Sequence, residues 1–416
     1  MAKNDNLADF LKDIADTIRK KRGITGAIKA QDFAKEIAAI SGGYTSKAVN
    51  DVTYYDYDGT VLHSYSADAF AALAEHPALP ERNGLVCQGW NYDFVKAQEY
   101  VAKYGKVDIG ASYITDDGKT RLYIRIAADG RMTVPLYFSQ TVANGVTIDW
   151  GDGSAAETLS GTGNVNTTHK YASIGDYCIA LSVASGCTLG LGRNSASYCV
   201  MGSTGSNGRV YCNMLQRVEI GSSVTSIGSY AFSYCYSLAS IVIPEGVTSI
   251  SGYAFYYCYS LASIVIPEGV TSISSYAFYT CYSLASIVIP EGITSISNNV
   301  FYACYSLASI VIPEGVTSIS GSVFYNCYSL ASIVIPEGVT SISSYAFYNC
   351  YGMAFYDFSA LADVPLLSST NAFQSIPSDC KIIVPDALYD TWKSATNWST
   401  YASYIIKKTE WDALNA

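Results

Sequence analysis

Beyond residue 215 the apolar positions recur every 23 residues, a period that belongs to neither a single helix nor a single strand. Six units begin at Leu215, Leu238, Leu261, Leu284, Leu307 and Leu330. A typical one opens Leu238-Ala239-Ser240-Ile241-Val242-Ile243-Pro244-Glu245-Gly246. The alternation predicts a short strand that turns Leu238, Ile241 and Ile243 inward. Pro244-Glu245-Gly246 then ends it, because proline brings no donor to a ladder. Val247, Ile250, Ala254, Phe255 and Cys258 follow at irregular spacing, as a coiling turn needs. One unit cannot bury its own apolar side, so the units must stack, each covering the next. At about 4.8 Å per strand, six turns make a stack roughly 30 Å long.

This unit resembles the BspA-type leucine-rich repeat, a resemblance confined to residues 215–352. It implies a solenoid that binds rather than catalyses.

Upstream, the pattern changes three times. Leu7, Phe10, Leu11, Ile14 and Ile18 form one apolar stripe at helical spacing, and Phe33, Ile37 and Ile40 a second. Neither helix has chain of its own to cover it, so residues 1–43 are expected to anchor or oligomerise the protein. Residues 44–119 read as a small α+β module: a hairpin around Asp58-Gly59, an alanine-rich helix near Ala67 to Glu75, and a strand at Gly84 to Trp90. The order is similar to small β modules of bacterial surface proteins such as internalins. Residues 120–190 alternate in short strands. Trp150-Gly151-Asp152-Gly153, His169-Lys170-Tyr171 and Gly175-Asp176-Tyr177 in that span resemble a PKD domain, which implies an immunoglobulin-like spacer with His169 packed or hydrogen-bonded. Residues 191–214 read as an irregular lead-in and N-terminal cap, and 353–416 as a C-terminal cap with helices at Tyr389-Asp390-Thr391-Trp392 and Trp398. Residues beyond Lys407 are expected to fray. The fold class is thus mainly β: a solenoid preceded by a β-sandwich, a small α+β module and an N-terminal helical segment.

Composition narrows the function. Only 14% of residues are charged and the formal net charge is -10, a poor match for phosphate backbones, so nucleic acid is not an expected partner. No stretch has the roughly 20 apolar residues that span a bilayer. The start, Met1-Ala2-Lys3-Asn4-Asp5-Asn6, lacks the apolar core of a signal peptide, which fits a particle released by lysis. Of twelve cysteines, Cys235, Cys258, Cys281, Cys304, Cys327 and Cys350 recur at one repeat position and read as free thiols that fill the core. No Cys-x-x-Cys pair supports zinc, and neither metal nor cofactor is expected.

The units differ mainly in one arc. One position reads Tyr230, Tyr253, Tyr276, Asn299, Ser322, Tyr345; the one before it includes Asn298; a third reads Tyr234, Tyr257, Thr280, Ala303, Asn326, Asn349. This Tyr/Ser/Gly/Asn alphabet suits a recognition strip, as in antibody loops; drift at exposed positions is the alternative. The candidate ligand-binding residues are Tyr230, Tyr253, Tyr257, Tyr276, Thr280, Asn298, Asn299, Ser322, Asn326, Tyr345 and Asn349. Glu245, Glu268, Glu291, Glu314 and Glu337 form a ladder on the Pro-Glu-Gly turns, read as a solvated edge with cation binding as its alternative. Asp56-Tyr57-Asp58-Gly59-Thr60 resembles the nucleophile loop of haloacid-dehalogenase-type phosphatases, but the chain offers no matching core, so an enzyme is not expected.

Anchor first and repeats last is the layout of a phage tail fibre or receptor-binding component. The expected partners are a cell-surface receptor, protein or glycan, and tail or appendage proteins at the N-terminus, with a homo-oligomer left open. The alternatives are a BspA-type bacterial surface adhesin that binds host matrix proteins, and a purely structural spacer.

Overall fold

The computed structural model describes residues 52–91, 93–127, 131–192, 198–203 and 209–415. The helical anchor expected over residues 1–43 lies outside them.

The repeats form the predicted stack. Ser263–Val265 and Ser286–Val288 pair in parallel with Ser263 opposite Ser286, one repeat apart. A second ladder joins Ser249–Ile250 to Ser272–Ile273 in the same register. The turn between the ladders is also hydrogen-bonded to its neighbour: the Phe255 N–H donates to the Ala277 carbonyl at 2.8 Å and that of Phe278 to the Val300 carbonyl at 3.1 Å. Identical side chains therefore sit on one another. Phe232, Phe255, Phe278, Phe301, Phe324, Phe347 and Phe373 make a buried column with centroids 5.2–5.8 Å apart. Beside it, Cys258, Cys281, Cys304, Cys327 and Cys350 each donate a thiol proton to the phenylalanine carbonyl 26 residues earlier, at 3.1–3.3 Å. Cysteine suits this position because it is small and apolar yet carries a weak donor for a buried carbonyl.

Both ends of the stack are covered. Strands β5 to β11 (Thr120–Ile126, Thr133–Gln140, Val146–Asp149, Glu157–Thr158, Gly163–Lys170, Gly175–Val183 and Leu189–Leu191) build two sheets, ordered β5-β10-β7-β8 and β11-β6-β9. The strand Leu215–Glu219 pairs antiparallel with β5 on one side and parallel with Ser240–Val242 on the other. Leu191 bridges in parallel to Ile227. The sandwich is thus welded to the first turn, and one hydrophobic core runs through both. The described part of residues 191–214 shares the capping with the sandwich: the Val200 N–H donates to the Ala231 carbonyl at 2.8 Å and Cys199, Met201, Cys212 and Met214 join the core, while the open sheet edge supplies the donors and acceptors the first repeat strand needs. At the other end Phe355–Asp357, Lys381–Val384 and Ile405–Lys407 extend the strand ladder, and Trp392, Trp398 and Tyr401 close the core. The chain does not fray after Lys407: Lys408–Asn415 is helical, the Thr409 N–H donates to Asp386 Oδ1 at 3.1 Å, and Trp411 packs on Phe355.

The small module has strands β1 to β4 (Val52–Tyr55, Val61–Tyr65, Leu85–Trp90 and Val107–Thr115) in order β2-β1-β4-β3, with helices α1 (Ala67–Ala71) and α2 (Phe94–Tyr104). It is docked on the stack. Strand alternation that turns Ile241 inward turns Val242 outward, so the repeats carry a valine row on their outer face. Strand β4 lies over it, leaving Val242, Val265 and Val288 only 1%, 6% and 3% exposed. The approach is close enough to require glycine: a Cβ on Gly110 would meet Val265 Cγ1 at 2.6 Å. Polar contacts fix the pose. Tyr100 donates its hydroxyl to the Ile312 carbonyl at 2.5 Å, and Gln88 Oε1 accepts from the Glu245 N–H at 3.0 Å. Lys96 pairs with Glu291 at 3.2 Å, and Lys103 with Glu314 and Glu337 at 3.3 and 2.9 Å. The glutamate ladder is therefore a rail for α2, not a bare solvated edge.

Glu268 stands between two rungs of that rail; its side chain is exposed, yet the protein packed around it, with the like charges of Glu291 and Glu245, pushes its carboxyl up to about 7. A raised carboxyl pKa means that the folded chain holds this proton more tightly than the unfolded chain. Its contribution is full below the usual value of 4.5 and is lost as pH rises through about 7. Thermal melts of Glu268→Gln should match the unsubstituted protein near about pH 4 and lie higher near about pH 8. Coincident melts at both values would show that the rung carries no such strain.

Candidate functional site

The variable arc of each repeat lies in the turn after the second ladder, and the backbone explains much of its alphabet. Tyr230, Tyr253, Tyr276, Asn299, Ser322 and Tyr345 all have φ between 54° and 63°, and so do Tyr234, Tyr257, Thr280, Ala303, Asn326 and Asn349. Each turn thus has two left-handed residues, a region that disfavours most side chains and tolerates asparagine best. Part of the restricted alphabet is backbone geometry rather than recognition. Thr280 is also only 3% exposed, so it cannot touch a ligand and leaves the contact set. Asn298 Oδ1 accepts from the Gly321 N–H at 2.9 Å, and Asn349 Nδ2 donates to Asn326 Oδ1 at 2.9 Å. These amides tie one turn to the next.

Left-handed geometry does not explain tyrosine, a bulky residue that seldom adopts it. Stacking does. Tyr230, Tyr253 and Tyr276 lie face to face at 4.7 Å with planes 6° and 3° apart, and Tyr234 and Tyr257 stack at 5.4 Å. The repeat register places each ring on the next, and such contacts add about 0.5–1.5 kcal/mol each, which offsets part of the backbone strain of about 1–2 kcal/mol per residue. Tyr345, 39% exposed, stands beyond the break made by Asn299 and Ser322.

Sequence variation drew attention away from two longer columns. Tyr256, Tyr279, Tyr302, Tyr325 and Tyr348 stack at 4.5–5.1 Å. Tyr236, Tyr259, Tyr282, Tyr305 and Tyr328 stack at 4.6–4.7 Å. Both are half-buried; the first has Ser233 in the opening unit, and the second is tyrosine in all six. The total of 36 tyrosines was their only trace in the composition. Burial, with neighbouring rings, pushes the Tyr325 hydroxyl up to about 12, so it stays a neutral donor and acceptor. Arg209 closes the first end, its guanidinium 3.8 Å from the Tyr234 ring centroid. The face offers flat apolar rings edged with hydroxyls, and the docked module's contacts fall elsewhere, on the strands and Pro-Glu-Gly turns.

The other candidate groups are structural. Asp56 is 1% exposed and paired with Arg82, and Asp58 Oδ1 accepts from the Thr60 N–H at 3.0 Å within the hairpin. Both carboxylates of the phosphatase-like motif are thereby used in holding the turn. His76 Nδ1 bonds the Tyr54 hydroxyl at 2.7 Å. His169 bonds Asp152 at 2.8 Å and stacks on Trp150 at 4.8 Å. Hydrogen bonds from Ser154 and then from His169 hold the Asp152 carboxyl down at about 2.

Comparison with known proteins places the repeats. Residues 225–354 match the BspA type leucine rich repeat region, in six copies. No curated protein matches the chain. Among solved structures, the leucine-rich repeat protein of T. pallidum is 29% identical, with a TM-score of 0.37, over 42% of this chain and 81% of that one. A leucine-rich repeat protein from Eubacterium ventriosum is 29% identical, with a TM-score of 0.35, over 38% of this chain and 42% of its own length. A leucine rich cell surface protein from Faecalibacterium prausnitzii is 25% identical, with a TM-score of 0.27, over 46% of this chain and 64% of that one.

If backbone geometry governs the arc, Ser322→Gly should stabilise the protein, since Ser322 has φ 54°. The relief of left-handed strain less the entropy of glycine leaves a gain on the order of 0.5 kcal/mol. Chemical denaturation measures it. A loss of more than about 1 kcal/mol would mean that the serine side chain, not the backbone, matters there.

Proposed function

We propose that this chain is a non-enzymatic adhesion protein of a bacterial surface, and that the tyrosine face of its repeats contacts a cell-surface receptor, glycan or protein. The observation that carries the reading is the set of in-register tyrosine columns, with rings about one strand spacing apart. Tyrosine presents large rigid contact area at low conformational-entropy cost, with a hydroxyl at its tip for hydrogen bonds. The family match of residues 225–354 supports the surface-adhesin reading over the phage tail fibre, which rests on domain order and the polar start. In this reading the β-sandwich is a spacer, and residues 1–43 attach the protein to its carrier or to copies of itself.

A simultaneous Tyr253→Ser and Tyr276→Ser change tests the face against a mere spacer. Ser322 already occupies the equivalent left-handed position, so the fold should tolerate serine at both sites. Adsorption of the purified protein to susceptible cells should fall by at least about tenfold, or 1.4 kcal/mol. Unchanged adsorption would overturn the reading: with a lowered melt it would assign the tyrosines to packing between turns, and with an unchanged melt to drift.

A further inference from the structure

The cysteine ladder changes character at its first rung. From Cys258 onward each thiol donates to a phenylalanine carbonyl of the preceding turn. Counting 26 residues back from Cys235 reaches Arg209, in the segment before the repeats, where no phenylalanine column exists to receive it. Cys235 meets thiols instead. Cys212, one repeat length earlier, and Cys199, from the segment that joins sandwich and solenoid, bring their sulfurs to it, and all three Sγ atoms lie within 4.8 Å of one another. Each residue is 0% exposed. Among the described residues no other group of three or more histidine, cysteine or acidic side chains has this geometry.

Core filling accounts for a single cysteine per turn. It does not account for three thiols converging from three chain segments, since apolar packing would be served as well by alanine or valine. Sulfurs bound at about 2.3 Å to one ion lie roughly 4 Å apart when three-coordinate, so this cluster needs little movement to close on a metal. Thiolate ligands select soft ions. The absence of an exposed edge makes the site structural rather than catalytic, because a catalytic centre keeps a position open to water or substrate.

We propose that Cys199, Cys212 and Cys235 form a buried three-sulfur site for one soft d10 cation, cuprous copper or a divalent ion of the zinc group, at the junction of sandwich and solenoid. Binding replaces up to three thiol protons by three metal–sulfur bonds, with no change of oxidation state. The ion would clamp the first turn to its cap, which is where a stack without an identical neighbour is weakest.

The test is titration of the full chain, reduced and held without oxygen, with cadmium and separately with cuprous ion against a competing chelator. Sulfur-to-metal charge-transfer absorption and elemental analysis report the stoichiometry. One ion per chain is expected, with a raised melting temperature. Cys258→Ala, which removes a ladder thiol outside the cluster, should leave that stoichiometry unchanged. Cys212→Ala and Cys199→Ala should each weaken binding at least about tenfold, since losing even an outer partner of a metal ligand costs that much. Failure of the unsubstituted reduced chain to take up either ion would overturn the proposal. So would equal uptake by the Cys212→Ala and Cys199→Ala chains.

Discussion

Everything else in this molecule depends on the parallel hydrogen-bond register that sets each residue one repeat length from its counterpart. Ser263 opposite Ser286, Ile250 opposite Ile273 and the Phe255 N–H on the Ala277 carbonyl are the same constraint at three points of the turn. Once it holds, like side chains must stack on like. Apolar columns gain from that, as the phenylalanine column shows. Charged columns lose, as Glu268 shows, unless a partner of opposite sign is brought to them.

The register also dictates the rest of the domain plan. Strand alternation produces an outward valine row as surely as an inward isoleucine row, and a contiguous apolar strip of that size needs cover. The α+β module provides it with a glycine-bearing strand and two lysines spaced to meet three glutamates of the rail. The sandwich ends the stack by lending its sheet edge to the first repeat. The tyrosine arc stays partly open to solvent, as does the threonine row beside the second ladder, so the surface proposed to bind is one of those the docked module and caps leave uncovered.

The inward positions of the repeat were legible from the sequence because they follow from local alternation: Leu238, Ile241 and Ile243 are all buried. The solvent face was only half legible. Val242 could have been read as an outward residue, but its cover comes from β4, more than a hundred residues earlier, and no local pattern names such a partner. The left-handed residues were hidden for another reason. Glycine or asparagine marks such positions, whereas Tyr253 and Tyr257 adopt them through stacking that exists only in the assembled solenoid. The candidate strip lies along one arc of the turns, and its alphabet has a backbone cause that residue variation alone does not show. The last helix was missed because Trp411 finds Phe355 only after the strand ladder has extended past the sixth repeat.

Removal of one whole repeat, residues 261–283, measures the central claim most directly, since register and not any individual contact is held to organise the fold. The shortened chain joins near-identical neighbours, so Val288 takes the place of Val265 under Gly110 and the rail presents Glu291 where Glu268 stood. Calorimetric unfolding should remain a single cooperative transition with a smaller enthalpy, as nearest-neighbour stacking requires. A broad, non-cooperative melt, or separate transitions for the module and the remaining repeats, would contradict the account.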